Sequence, residues 1–274
     1  MNRRDFIGLI GCSCCGLILP ACSTTPVTER RQFKIYPETF INAQAENMYK
    51  GLVRRSKLST NQKQLDEITE IGNKMVESIG IYFQNVNKPN PTDNFKWEYN
   101  LIESKMVNAF CLPGGKIGVF TGILEFTKTK DGMALLMGHE IAHAVAKHGV
   151  ERMSRAIAVE LGFGVADVFT GGVAGKTRQM IGESTGLDIL DLTLMRPHGR
   201  TQESEADYMG LIFSSLAGYD LNESVRLWKR MNKKNKKKEP PQFLSTHPSS
   251  KNRIIKLRGW IPEVYKKYPK IANL

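Results

Sequence analysis

The stretch from Gly138 to Gly149 reads GHEIAHAVAKHG, and no other segment narrows so far what this chain can fold into. It holds three of the five histidines in the sequence. From Asp131 to about Val150 the apolar positions Met133, Leu136, Met137, Ile141, Ala144 and Val145 recur as on a helix, despite Gly138. On such a helix His139 and His143 stand four residues apart and project from neighbouring turns of one face, so their imidazoles can converge on one ion. Glu140 sits beside that face, placed to act on a water molecule rather than on the ion. The same five-residue pattern also occurs in unrelated chains, and a lone histidine in an apolar helix is usually a hydrogen-bonded core residue. A zinc site therefore needs a further ligand from elsewhere.

The segment ESEAD offers one. Glu203 and Asp207 are again four apart and share a helix face, whereas Glu205 points elsewhere. Glu203 can complete a site of two histidines and one carboxylate, and Asp207 can accept the outer N–H of a ligating histidine and so fix its tautomer. Their spacing alone equally describes an exposed acidic pair. His148 follows His143 by five residues and reads as a helix-end or packing histidine, and His198, in RPHGR, has a weak functional case.

Together NAFCLPGGKIGVFTGIL, HEIAHAVAKH, RTQESEAD and STHPSSKNRI resemble the zinc metallopeptidase family of HtpX and the CAAX prenyl proteases, a gluzincin family, in its soluble or lipid-anchored bacterial branch. The resemblance runs from about Phe95 to Arg253. It implies one zinc ion held by His139, His143 and Glu203, with Glu140 as catalytic base and Asp207 behind a ligand. His247 matches a late histidine that either stabilises an oxyanion or swings onto the metal and blocks it. Arg253, and more weakly Arg200, match residues that orient acidic groups or substrate. Gly115, Lys116, Ile117 and Gly118 resemble the edge strand that pairs with extended substrate in zinc peptidases. The membrane-spanning helices of HtpX and the prenyl proteases have no counterpart, so their intramembrane chamber is not carried over.

The first residues read as an export signal: a basic MNRRDF, then an apolar run shorter than a membrane span. LPAC resembles a lipobox, which would cut before Cys22 and lipidate it, and Ser23 resembles an outer-membrane sorting signal. Arg3 and Arg4 resemble a twin-arginine signal. The expected location is the periplasm of a Gram-negative bacterium, tethered to the inner leaflet of the outer membrane. Removing residues 1–21 takes away Arg3, Arg4 and Asp5 and lowers the formal charge from +12 to +11. A basic body suits anionic lipid or acidic partners. Nucleic acid is not expected, because the lysines of NKKNKKKEP form one local run without interleaved aromatics. With that processing only Cys111 remains as a thiol in the body; it lies in an apolar alternating stretch, where burial rather than catalysis is expected.

The chain divides as 1–21 signal, 22–36 tether and 37–274 single metallopeptidase domain. A helix is expected from about Pro37 to Ser56 and a stronger one from Asn61 to Ile81, then short strands in FKWEYNLI, MVNAF and KIGVFTG around the turn LPGG. The fold class is α+β, mostly helical and zincin-like, with a small sheet beside the HEIAH helix. Leu161 to Leu194 is glycine-punctuated, a candidate cover together with the lysine-rich loop. The function read from these features is zinc-dependent cleavage of extended or unfolded polypeptides, in particular misassembled envelope proteins. The alternatives are a latent, non-hydrolytic chaperone working with envelope assembly machinery, or a basic lipoprotein that mainly binds the envelope.

Overall fold

The segment 22–36, expected as a tether, is docked on the body along most of its length. In the computed structural model, which describes residues 22–35, 37–160, 198–235, 241–248, 251–272 and 274, β1 (Cys22–Thr24) pairs antiparallel with β2 (Arg31–Phe33). Phe33 and Gln32 are buried, and the Gln32 amide donates to the Ala146 carbonyl. Side-chain anchoring of this kind holds a short two-stranded ribbon that would be marginal alone. The expected signal, residues 1–21, lies outside the described residues.

Two helices follow. In α1 (Glu38–Arg55) Ile41, Ala45 and Tyr49 are buried. Asn61 starts α2 (Gln62–Asn85) by accepting from the Gln64 N–H at 3.2 Å, so the side chain satisfies one of the free donors of the first turn. Ile68, Ile71, Met75, Ile79, Tyr82 and Phe83 are buried along one face of it.

The strands are β3 (Glu98–Ile102), β4 (Ala109–Leu112) and β5 (Lys116–Phe120). The turn between β4 and β5 needs positive φ at Gly114 (83°) and Gly115 (84°), which glycine adopts without a Cβ clash. The sheet order is β3-β5-β4, with β5 parallel to β3 and antiparallel to β4. This corrects the expectation for Gly115, Lys116, Ile117 and Gly118: β5 is the central strand, its backbone committed on both sides, and the edge nearest the HEIAH helix is β4.

After a 3₁₀ turn at Thr121–Ile123 and the short α3 (Leu124–Thr127), α4 (Lys130–Val145) begins at Thr129, whose hydroxyl accepts from Gly132 N at 3.0 Å. Every residue of α4 from Gly132 to Val145 is buried, since α2, β4, α6 (Arg200–Leu216) and α7 (Asn222–Asn235) surround it. The expected continuous helix to Val150 is broken. Ala146 caps α4, Lys147 takes a left-handed φ of 59°, and α5 (His148–Glu160) sets off in a new direction. Lysine sits there because its ammonium is held by Glu38 at 2.7 Å and by the Pro91 carbonyl at 2.8 Å.

The crossing of α4 and α6 is glycine on glycine. A Cβ on Gly210 would lie 3.0 Å from His139 N, and one on Gly138 would lie 2.8 Å from Ser214 Oγ. Side chains would push the helices apart and carry the acidic face of α6 away from the histidines of α4. Around the crossing lies the main core, where Phe213, Met75 and Ile141 are fully buried; truncating a ring such as Phe213 to alanine costs about 3–5 kcal/mol. The short α8 (Gln242–Thr246) and α9 (Lys251–Lys267) follow, α9 packing on α6 and α7. The architecture is α+β, mostly helical with one small sheet against α4. The segment Leu161–Leu194, expected as a cover, and residues 236–240 of the lysine-rich loop lie outside the described residues. No described helix is long and apolar enough to cross a membrane.

Candidate metal centre

His139 and His143 face each other across one turn of α4, with their Nε2 atoms 3.1 Å apart. Glu203, in the first turn of α6, brings Oε1 to 3.4 Å from His143 Nε2 and Oε2 to 3.6 Å from His139 Nε2. His247, just after α8, adds Nδ1 at 3.2 Å from His139 Nε2 and 3.0 Å from Glu203 Oε1. All four side chains are buried, and one ligand atom from each lies within 4.8 Å of the others. A tetrahedral zinc ion with bonds of about 2.0–2.2 Å sets its ligand atoms about 3.3–3.6 Å apart. Five of the separations run from 3.0 to 3.6 Å, close to that edge length, and all lie within 4.8 Å. Imidazole and carboxylate are also the donor types zinc takes, so the residues present fit the ion.

The ring nitrogens pointing away from this centre are secured. His139 Nδ1 lies 3.0 Å from Asp207 Oδ1. Arg253, on α9, spans the acidic pair, donating from Nη1 to Glu203 and from Nη2 to Asp207, each at 2.7 Å, with its guanidinium carbon 3.5 Å from the centre of the Trp228 ring. Burial opposes the charge on Glu203, yet His247 and Arg253 outweigh it and hold this carboxyl well below its usual range. Burial pushes His143 well below the usual imidazole value and keeps it neutral, the form that donates to a metal. Burial raises Glu140, opposed by His247 and His139. Its Oε1 is buried without a hydrogen-bond partner, 3.5 Å from His247 Nε2.

Arg200 stands apart. It is exposed at the start of α6 and shares an open groove with Glu203, Asp207 and Arg253, yet among the described residues no ion pair joins it to the quartet. Cys111 is a free, buried thiol pushed up by burial, as expected of a core cysteine.

Sequence reasoning passed over three participants. His148 is fully buried and places Nδ1 2.8 Å from His143 Nδ1, with Nε2 2.9 Å from Glu205 Oε2. His148 is thus no mere packing residue, and Glu205 faces away from Glu203 only to meet it. His198 stacks on His247 with ring centres 4.9 Å apart, approaches His143 to 4.1 Å, and takes a hydrogen bond from Arg152 at 2.9 Å. All five histidines of the chain therefore belong to one cluster. Their small number, in a chain of 274 residues, was the available signal.

A fold and site of this kind define a zinc metalloendopeptidase. Residues 62–261 match the model of peptidase family M48, and the chain belongs to that family. Among its relatives is the mitochondrial metalloendopeptidase OMA1 of Schizosaccharomyces pombe, 34% identical over 87% of this chain and 66% of that protein. The OMA1 of Saccharomyces cerevisiae is 29% identical over 97% of this chain and 77% of its own length. A putative beta-barrel assembly-enhancing protease of Vibrio cholerae is 26% identical over 77% of this chain and 42% of its own.

These relatives overturn the expected location. The OMA1 proteins of two fungi, a plant, cattle and humans that match this chain are mitochondrial, which counts against the expected Gram-negative periplasm. They give no support to the lipid-anchored bacterial branch, to a lipid on Cys22, to an outer-membrane contact or to envelope assembly machinery as a partner.

Proposed function

We propose that this chain hydrolyses internal peptide bonds of extended or unfolded polypeptides, with His139, His143 and Glu203 as zinc ligands and Glu140 as general base. One observation carries the reading: the unpartnered Glu140 Oε1 lies buried beside donor atoms already spaced for zinc. When bound, zinc supplies Lewis-acid polarisation of the scissile carbonyl and makes water more acidic. Glu140 takes the water proton on its carboxylate and returns it to the leaving amine, and its raised pKa brings it nearer to neutral pH, where such transfer is efficient.

Substrate backbone is expected along β4. Phe120 N donates to Asn108 O at 3.1 Å, which sets the antiparallel alternation so that Phe110 and Leu112 bond toward β5 while Ala109 and Cys111 turn their N–H and C=O outward, the Ala109 N–H donating to Asn108 Oδ1 at 3.0 Å. A pocket lined by Cys111, Pro113, Glu140, His143 and His198 lies beside that edge. Recognition through backbone favours unfolded segments over a particular sequence.

A second reading rests on His247. Its Nδ1 fills the fourth corner of the quartet, the position substrate and water must use. In this arrangement it serves as a cap rather than as an oxyanion donor, and the enzyme is latent until α8 shifts. Zinc analysis combined with casein cleavage tests both readings. Wild type is expected to carry one zinc per chain, Glu140→Gln to keep that zinc while turnover falls about 10²–10⁴-fold, and His247→Ala to cut faster than wild type. Unchanged cleavage by Glu140→Gln would remove it from the mechanism, and a His247→Ala variant no faster than wild type would remove the cap.

A further inference from the structure

The hydrogen bonds behind His143 run in one direction. For Nε2 of His143 to hold a metal it must be free of a proton, so the ring proton sits on Nδ1, 2.8 Å from His148 Nδ1. His148 then accepts at Nδ1 and carries its own proton on Nε2, which donates to Glu205 Oε2 at 2.9 Å. Glu205, as an acceptor, ends the chain. It is held in turn by the Thr28 hydroxyl and by Arg30 Nε at 2.7 Å, both in the hairpin loop between β1 and β2. Arg30 is steadied by the buried Glu151, which takes two of its N–H groups at 3.0 and 2.7 Å and a third bond from Gln202. Each member has one consistent role, and no donor faces a donor.

We propose that His148 and Glu205, anchored by Thr28 and Arg30, are positioning residues that fix the tautomer and ring orientation of His143, so that the amino-terminal hairpin sets how tightly zinc is held. Partners behind a ligand typically change metal affinity by about 10–100-fold when removed. Here the partner is an imidazole between ligand and carboxylate, and the carboxylate is clamped by a segment more than a hundred residues away in sequence. Detaching the hairpin would release Glu205 and weaken the zinc without touching a ligand.

The inference rests on the proposed zinc ligation, and chelator competition on the full-length chain separates the two. Zinc dissociation constants are measured for wild type, His148→Phe and His148→Gln, each first shown by circular dichroism to melt cooperatively without metal. Phenylalanine fills the space but neither accepts nor donates; glutamine offers an oxygen to His143 and an N–H to Glu205. Zinc binding is expected to weaken about 10–100-fold in His148→Phe and to stay within about threefold of wild type in His148→Gln. Arg30→Met should weaken it in the same direction by a smaller factor. If His148→Phe does not fold, Glu205→Leu against Glu205→Gln makes the same comparison, the amide oxygen still accepting from His148. Equal affinities throughout, or glutamine as damaging as its apolar counterpart, would overturn the positioning chain. A wild-type chain that takes up no zinc would instead overturn the metal reading beneath it.

Discussion

His139 and His143 point at the same ion position, yet they are backed by different parts of the molecule. Behind His139 stand Asp207 and Arg253, nine-tenths or more buried and supplied by α6 and α9 within the helical core. Behind His143 stand His148 and Glu205, and beyond them Arg30, whose side chain keeps 20% of its exposure. The first support is buried between packed helices. The second ends at the surface, on a two-stranded hairpin, and can be altered from outside. One metal centre thus combines a ligand fixed by the fold with a ligand whose support is open to adjustment.

The contrast yields three graded outcomes. The largest effect is expected from Arg253→Met, which leaves Glu203 and Asp207 as buried carboxylates without their guanidinium; removing one partner from a buried ion pair costs about 3–5 kcal/mol. Urea unfolding of the metal-free chain measures it, and a loss near zero would mean that these carboxylates find water and that the His139 side is not sealed. Next comes Asp207→Ala, expected to weaken zinc by about 10–100-fold in chelator competition. An effect no larger than that of Arg30→Met would erase the difference between the two sides. The smallest is Thr28→Val, where losing one hydroxyl bond to Glu205 costs about 0.5–1.5 kcal/mol of stability in the same urea assay.

What the sequence disclosed and what it hid follow the same division. His139, Glu140 and His143 were legible because a helix period fixes neighbours four apart, and Glu203 with Asp207 by the same rule on a second helix. Locally patterned elements such as α2 and the three strands were legible too. His148 was not: five residues along a straight helix place it about 140° around the axis from His143. Lys147 breaks that helix with a left-handed backbone, and lysine does not announce such a turn as glycine would. Glu205 does lie about 200° from Glu203 around α6. Its burial comes from a hairpin 175 residues earlier, a contact no local pattern encodes. Strand order escaped for the same reason. Alternation marks β5 as a strand, but its place between β3 and β4 depends on a long-range parallel pairing.

Zinc K-edge X-ray absorption on the full-length, zinc-loaded chain addresses the metal centre directly. The expected spectrum has one zinc per chain in a shell of nitrogen and oxygen only, at about 2.0–2.2 Å, with imidazole scattering from at least two rings that is lost together with the metal in His139→Ala. A sulfur shell at about 2.3 Å, or full zinc occupancy surviving the His139 substitution, would contradict a site built from α4 and Glu203.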